Sequence, residues 1–448
     1  MATENDFITP AGLYVYETAN VVGNTTSSDM YAEITESLSQ PSVMFDFYKS
    51  KKLDSRLEFT RATIGSYYDA DGILSYAAVN EPRFDYDPVT GISKGLLIEE
   101  ARTNLLTYSE QFDNASWSIG AATITSNATT APDGSFTADL FVEDTNNNSH
   151  SISPTVNINI GTNYTFSVYA RAGTRSVIEL AGLGFSAQGY TAIFDLSTGL
   201  MTSNIGGFGK IINAGNGWYR CQFVVTASGG STPVIYLNNG TSSVYTGDGT
   251  SGIYVWGAQL EVGPCATSYI PTIASTVTRS QDVTFIKDDN FSSWYTANCV
   301  VYVEVSGTNV STPPYPVIFH LDNDESTSFI GLIYYGGSPN LGNISVRTSN
   351  GITYNENVIS SGTVVNDTFC KIAVLINNQP GNTSNYITGY VNGVGTTFTN
   401  SALPTDITRL RIGTYRYDQQ LNGHIKKIAF YQLTGTNATA NSLMAMTL

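Results

Sequence analysis

Sugar recognition needs flat aromatic faces for the apolar side of a pyranose, set beside amides and carboxylates that grip hydroxyls. Several segments offer that combination: Trp117 and Trp256, the pair Tyr334-Tyr335, and the run Tyr415-Arg416-Tyr417-Asp418. The last run precedes Leu421-Asn-Gly423 in an expected loop, where exposed aromatics and charges serve contact better than core packing. Trp117, Trp218 and Trp256 also suit a core, since Trp256 alternates with Tyr254, Ala258 and Leu260 on one strand face.

Other chemistries find little support. Hydrolysis of a glycoside requires two carboxylates facing one cleft, and no Glu-x-Asp-x-x-Glu strand occurs. Gly-x-x-x-x-Gly-Lys is absent, and the chain is expected not to be an enzyme. Asp322-Asn-Asp-Glu325 lacks the Asp-x-Asp-x-Asp-Gly spacing of a calcium loop and reads as a solvated turn. His150, His320 and His424 are scattered and read as structural. Cys221 and Cys370 alternate with apolar neighbours, as inert core thiols do, and the four cysteines form no metal spacing.

The elements that must position these residues are strands. Hydrophobic residues make up 41% of the 448 and charged residues only 13%, with Gly, Thr, Ser and Asn separating short runs of Val, Ile, Tyr and Phe. A net charge of −16 with 21 Lys plus Arg leaves no basic run to follow a phosphate backbone or an anionic leaflet, so nucleic acid and membrane are not expected partners. The acidic start Met1-Ala-Thr-Glu-Asn-Asp6 lacks the pattern of a secretory signal, which points to cytosolic synthesis.

Four segments follow from the text. Residues 1–44 are polar with apolar islands, and Met30, Ile34 and Leu38 hint at one short helix. Residues 45–103 read as an extended, hairpin-rich connector. Residues 104–277 alternate as a sandwich does, at Tyr164–Ala170, Val177–Leu180, Tyr190–Phe194, Trp218–Val225, Val234–Leu237 and Ile253–Val262. Residues 278–448 hold a second series, at Cys299–Val305, Val317–Leu321, Phe329–Tyr335, Cys370–Ile376, Tyr386–Val391 and His424–Tyr431, with a hairpin signal at Asn392-Gly393 and a closing helix.

Gly95-Leu-Leu-Ile-Glu-Glu-Ala-Arg-Thr-Asn-Leu-Leu-Thr-Tyr-Ser-Glu-Gln-Phe-Asp-Asn-Ala-Ser-Trp117 resembles a signature of tailed-phage structural proteins, as do Leu57-Glu-Phe-Thr-Arg-Ala-Thr63 and Phe84-Asp-Tyr-Asp-Pro88. In such proteins the signature opens a jelly roll similar to carbohydrate-binding modules, closed by text like Trp256-Gly-Ala-Gln-Leu-Glu-Val-Gly263. The segment Leu421-Asn-Gly-His-Ile-Lys-Lys-Ile-Ala-Phe-Tyr431 resembles concanavalin A-like or laminin G-like domains.

The resemblance implies an all-β virion protein with two β-sandwich domains, a jelly roll and a concanavalin A-like sandwich, behind an N-terminal attachment segment. It implies a non-enzymatic adhesin or appendage that binds a host-surface glycan and meets other virion proteins through residues 1–95. Such appendages are homo-oligomers, commonly trimers. A capsid or collar decoration protein is the alternative, and a polysaccharide depolymerase is the second. No cofactor is expected: related jelly rolls often hold calcium with acids in the last strand, and here that strand reads Tyr254-Val-Trp-Gly-Ala.

Overall fold

The computed structural model describes residues 40–184, 190–307, 315–324, 327–335, 343–360, 367–377, 385–399, 403–415, 419–433 and 440–448. It is all-β, and two sandwiches carry most of the strands. The expected short helix over Met30–Leu38 lies outside the described residues.

The jelly roll pairs two six-stranded sheets. One runs in the order Phe208–Asn213, Trp218–Thr226, Asn163–Ala172, Gly252–Val262, Ala138–Glu143, Ala122–Thr129. The other runs Leu200–Ile205, Thr191–Asp195, Val177–Ala181, Val234–Asn238, Ser151–Pro154, Trp117–Gly120. Period-two alternation sends Phe166, Val168, Cys221, Phe223, Ile178, Leu180, Ile235 and Leu237 between the sheets, where all are buried. This core draws only on residues within the expected 104–277 block.

The second sandwich faces a seven-stranded sheet with an eight-stranded one. The first runs Glu58–Thr60, Val283–Lys287, Arg409–Ile412, Val317–Asp322, Ser328–Tyr335, Asn343–Asn350, Tyr354–Ser360. The second runs Val394–Thr399, Tyr386–Val391, Cys370–Asn377, Asn298–Gly307, Gly423–Gln432, Ser93–Ile98, Arg83–Tyr86, with Val43–Asp46 also paired to Gly423–Gln432. At the expected hairpin Val391 faces Val394, and Asn392 and Gly393 both take positive φ, as a two-residue type I′ turn requires.

Residues 45–103 are therefore not a connector. Their strands complete the C-terminal sandwich, through Phe45 opposite Ile428, Leu96 opposite Ile425 and Phe59 opposite Thr284. Val43, Phe45, Phe47, Leu57, Phe59, Leu96 and Ile98 sit in its core. Short strands of three to six residues look like isolated hairpins in the sequence because their partners lie more than three hundred residues away in some pairs. The same segment also reaches the jelly roll: Leu74 packs with Trp218 and Trp256.

A buried ion cluster fills the joint. Asp282 Oδ1 accepts from Arg61 Nη1 at 3.0 Å, and its Oδ2 accepts from Arg83 Nη2 and from the Glu99 amide at 2.9 Å. Glu99 in turn accepts from Arg83 Nη1 at 2.7 Å and from the Ser268 amide and hydroxyl of the jelly roll's closing segment. Burial alone would raise the Glu99 carboxyl, but Arg279, Arg83 and Ser268 hold it well below the usual carboxylate range. Gly65 makes room here, because a β-carbon would stand 3.0 Å from Arg61 Nε. Segment 45–103 is thus a shared wall between the sandwiches, ion-paired to Asp282 on one side and hydrogen-bonded to Ser268 on the other.

Candidate functional site

The jelly roll carries a cavity of about 220 Å³ lined by Glu110, Gln111, Asp113, Ser126, Asn127, Thr137 and Asp139. Two local irregularities build it. After Tyr108, held at φ 51, successive turns run from the Gln111 amide to Tyr108 O and from the Asn114 amide to Gln111 O. They bury Phe112 in the core and leave Gln111 and Asp113 exposed. Opposite, the edge strand Ala122–Thr129 bulges against Ala138–Glu143, where pairing jumps from Ala138–Thr129 to Leu140–Thr125. Asn127 takes φ 53 at the crest of that bulge.

Asp139 staples the two halves. Its Oδ2 accepts from the Phe112 amide and its Oδ1 from the Asn127 amide, each at 2.9 Å. Burial dominates over these donors and pushes its carboxyl up to about 6. Glu110 is also raised by burial, with Asp133 adding to the effect, although it accepts from Tyr269 Oη at 2.9 Å. Asp113 accepts from Ser126 Oγ at 2.7 Å. Underneath, Trp256 Nε1 donates to Thr137 Oγ1 at 3.1 Å, and its ring lies 4.7 Å from that of Tyr269. An aromatic floor thus fixes two wall residues, one through each ring.

The chemistry of the lining is specific. Carboxylates and amide oxygens accept from hydroxyls, and the Gln111 and Asn127 amides can donate. Among the described residues no Lys or Arg lines the cavity, so the field disfavours phosphate, sulfate and carboxylate groups. The wall suits a neutral polyol.

A pH test follows from Asp139. Its carboxyl titrates near 6 in the fold against about 3.9 in an unfolded chain, so the fold favours the protonated form. The stability from this preference is full below about pH 4 and is lost as pH rises through 6. Urea midpoints at pH 5 and 7.5 should therefore fall more for the wild type than for Asp139→Asn; equal changes would place the titration elsewhere.

The residues singled out in the sequence are dispersed rather than gathered. Trp117 is buried in the jelly-roll core, 4.8 Å from Phe112, with Nε1 donating to Tyr108 O. Trp256 and Tyr334 are wholly buried, the latter with its hydroxyl 3.9 Å from Cys370 Sγ. None of these three presents a ring to solvent: Trp117 and Tyr334 turn into the sandwich cores, whereas Trp256 lies on the other face of its strand from Ala258 and Leu260, after which Gly257 takes φ 61, and is covered by Leu74 and Tyr269. They are not sugar platforms; Trp256 instead supports the cavity floor. Tyr415 is half-buried, its ring 4.6 Å from His320. The side chains of Tyr335, Arg416, Tyr417 and Asp418 lie outside the described residues.

The acidic turn is solvated at Asp324 but not at Asp322. Asp322 is buried and accepts from Arg411 Nε at 2.7 Å, with His320 Nδ1 at 3.0 Å. Burial would raise this carboxyl, but His320 and Arg411 bring it below its usual value. Among the described residues no group of three His, Cys, Asp or Glu side chains is placed to hold a metal ion. Burial raises the Cys221 thiol strongly and lifts Cys370 to about 11, which leaves both as core thiols.

The cavity residues themselves went unremarked in the sequence. The available signal was the spacing Glu110-Gln111-x-Asp113 inside a turn, since three hydrogen-bonding side chains in four positions cannot all serve a core. Asn127 and Asp139 had none, because their meeting depends on the bulge.

No protein-family model matches the chain, and no curated protein matches it. Among solved structures it is similar to domain 4 of AbnA, an extracellular arabinanase from Geobacillus stearothermophilus in complex with arabinotriose. That overlap has a TM-score of 0.29 and 14% identity, over 41% of this chain and 82% of that one. A second is the Ruminococcus gnavus IT-sialidase CBM40 bound to α2,3 sialyllactose, with a TM-score of 0.28 and 13% identity, over 34% and 83%. A third is a tail fiber protein from an E. coli phage, with a TM-score of 0.21 and 10% identity, over 77% and 42%. Overlaps this slight carry no argument about function, which rests on the residues of the chain.

Proposed function

We propose that the chain is a non-enzymatic glycan-binding protein of a phage particle, and that the jelly-roll cavity grips a neutral sugar of the host surface. The cavity carries this reading: about 220 Å³ of space whose seven lining side chains all offer hydrogen bonds. The phage setting is supported by the signature at residues 95–117. Each individual site is weak, being rich in hydrogen bonds and poor in apolar contact, and copies on one particle supply avidity.

Carboxylate commitments favour binding over hydrolysis. Asp139 spends one oxygen on each of two backbone amides, Asp113 holds Ser126, and Glu110 holds Tyr269. A general acid must instead reach the glycosidic oxygen, and its partner must face a water or the anomeric carbon.

The test uses the full chain on polysaccharide from host envelopes. Retention on the polysaccharide, without release of reducing ends, is expected. The exposed pair Gln111→Ala and Asp113→Ala should weaken retention by roughly tenfold or more, the loss of two or three hydrogen bonds, while the melt stays unchanged. New reducing ends would favour a depolymerase. Absence of retention on any host polysaccharide would favour a decoration protein.

A further inference from the structure

Tyr269 links the cavity to a second, smaller hollow. Its hydroxyl donates to Glu110 in the cavity wall at 2.9 Å, and its carbonyl accepts from Ser66 Oγ at 2.6 Å. Ser66 and Tyr269 both line the hollow. Ser66 stands opposite Tyr76 in the short hairpin of Gly65–Tyr68 with Leu74–Ala77, so the two side chains leave the same face. Burial raises the Tyr76 hydroxyl, and Glu110 and Asp133 raise it further. Tyr76 thus lines the hollow within the field of the cavity's own Glu110, while 38% of the residue stays exposed.

The hollow measures about 40 Å³. A cavity of roughly 150 Å³ takes a benzene ring, so this one is too small for a sugar and suits a methyl group. Ile64, 50% exposed, and Val277, 36% exposed, give it apolar sides together with Tyr76. Its hydroxyls already have partners: Ser66 holds Tyr269 O, Thr63 accepts from the Ser280 amide at 2.9 Å, and Thr278 pairs with Thr103 at 2.8 Å. Arg279, also in the lining, is 1% exposed and donates to Ser280 O and Glu100 O. A hydroxymethyl group placed here would give up hydrogen bonds to water and regain few, whereas a methyl has none to lose.

We propose that Tyr76 and this hollow form a second subsite, which takes a neighbouring sugar that carries a methyl group. The inference rests on the cavity as the place where the first sugar is held. The Tyr76 ring offers the flat apolar face that Trp117, Trp256 and Tyr334 do not, and the hollow takes the methyl of an acetyl group or of a 6-deoxy sugar. Segment 45–103 then contributes to recognition as well as to the C-terminal sandwich.

Saturation-transfer NMR of the full chain with an oligosaccharide cut from host envelope polysaccharide tests this. The strongest transfer should fall on a methyl signal, and acetyl and 6-deoxy methyls resonate apart, so the spectrum names the source. Tyr76→Ala and Ile64→Asp, made separately at exposed side chains, should each abolish that methyl transfer while transfer to other sugar protons persists. Each should weaken binding by about fourfold or more, the worth of one buried methyl, with an unchanged melt. Methyl transfer indifferent to both variants, or a bound oligosaccharide without any methyl, would overturn the second subsite and leave the cavity standing. No transfer to any signal of the oligosaccharide would overturn the cavity reading and the subsite with it.

Discussion

Residues 278–448 expressed alone should show no cooperative melt, whereas residues 104–277 should show one. The asymmetry comes from where the missing strands sit. The eight-stranded sheet loses Val43–Asp46, Arg83–Tyr86 and Ser93–Ile98, and the opposing sheet loses Glu58–Thr60. Seven core side chains leave with them, from Val43 to Ile98. At about 1.5–3 kcal/mol for each buried large apolar side chain, the deficit is on the order of 10–20 kcal/mol. That matches or exceeds the whole stability of an ordinary domain, about 5–15 kcal/mol. The jelly-roll core, by contrast, draws on nothing before Leu105. A sharp thermal transition from 278–448 alone would contradict the shared-wall arrangement, and restoring residues 40–98 in the chain should restore the transition.

Asp282→Ala should be the most damaging single substitution at the joint, at about 3–5 kcal/mol. The carboxylate is fully buried and is the common partner of Arg61 and Arg83, whose side chains are also fully buried. Removing it strands two guanidinium groups in a space that water cannot reach, and Glu99 keeps only one of them paired. Ser268→Ala, which removes one hydroxyl from the same cluster, should cost about 1 kcal/mol. Urea midpoints of the two variants measure the difference. Similar losses would mean that the cluster is not organised around Asp282.

Much of the strand framework was legible because alternation is a local signal. The expected Trp218–Val225, Cys370–Ile376 and Tyr386–Val391 correspond to strands Trp218–Thr226, Cys370–Asn377 and Tyr386–Val391. The thiol of Cys221 fell on the buried face for the same reason. What alternation cannot convey is partnership. Ser93–Ile98 reads as apolar text with no stated sheet, and nothing near it reveals that Leu96 will stand opposite Ile425. Trp117 and Trp256 show the complementary difficulty: a tryptophan is equally at home in a core and on a binding face, and composition does not say which way a strand turns it. Three fully buried arginines lay beyond sequence reasoning too, since their burial requires carboxylates brought in from other segments.

The proposed sugar site is the cavity between the Tyr108–Asn114 turns and the Asn127 bulge. A crystal of the full chain soaked with an oligosaccharide cut from host envelope polysaccharide locates the ligand directly. A sugar ring is expected in that cavity, with hydroxyls donating to Asp113 and Glu110 and accepting from the Gln111 or Asn127 amide. An oligosaccharide bound instead beside Tyr415, or anywhere away from Gln111 and Asp113, would contradict it.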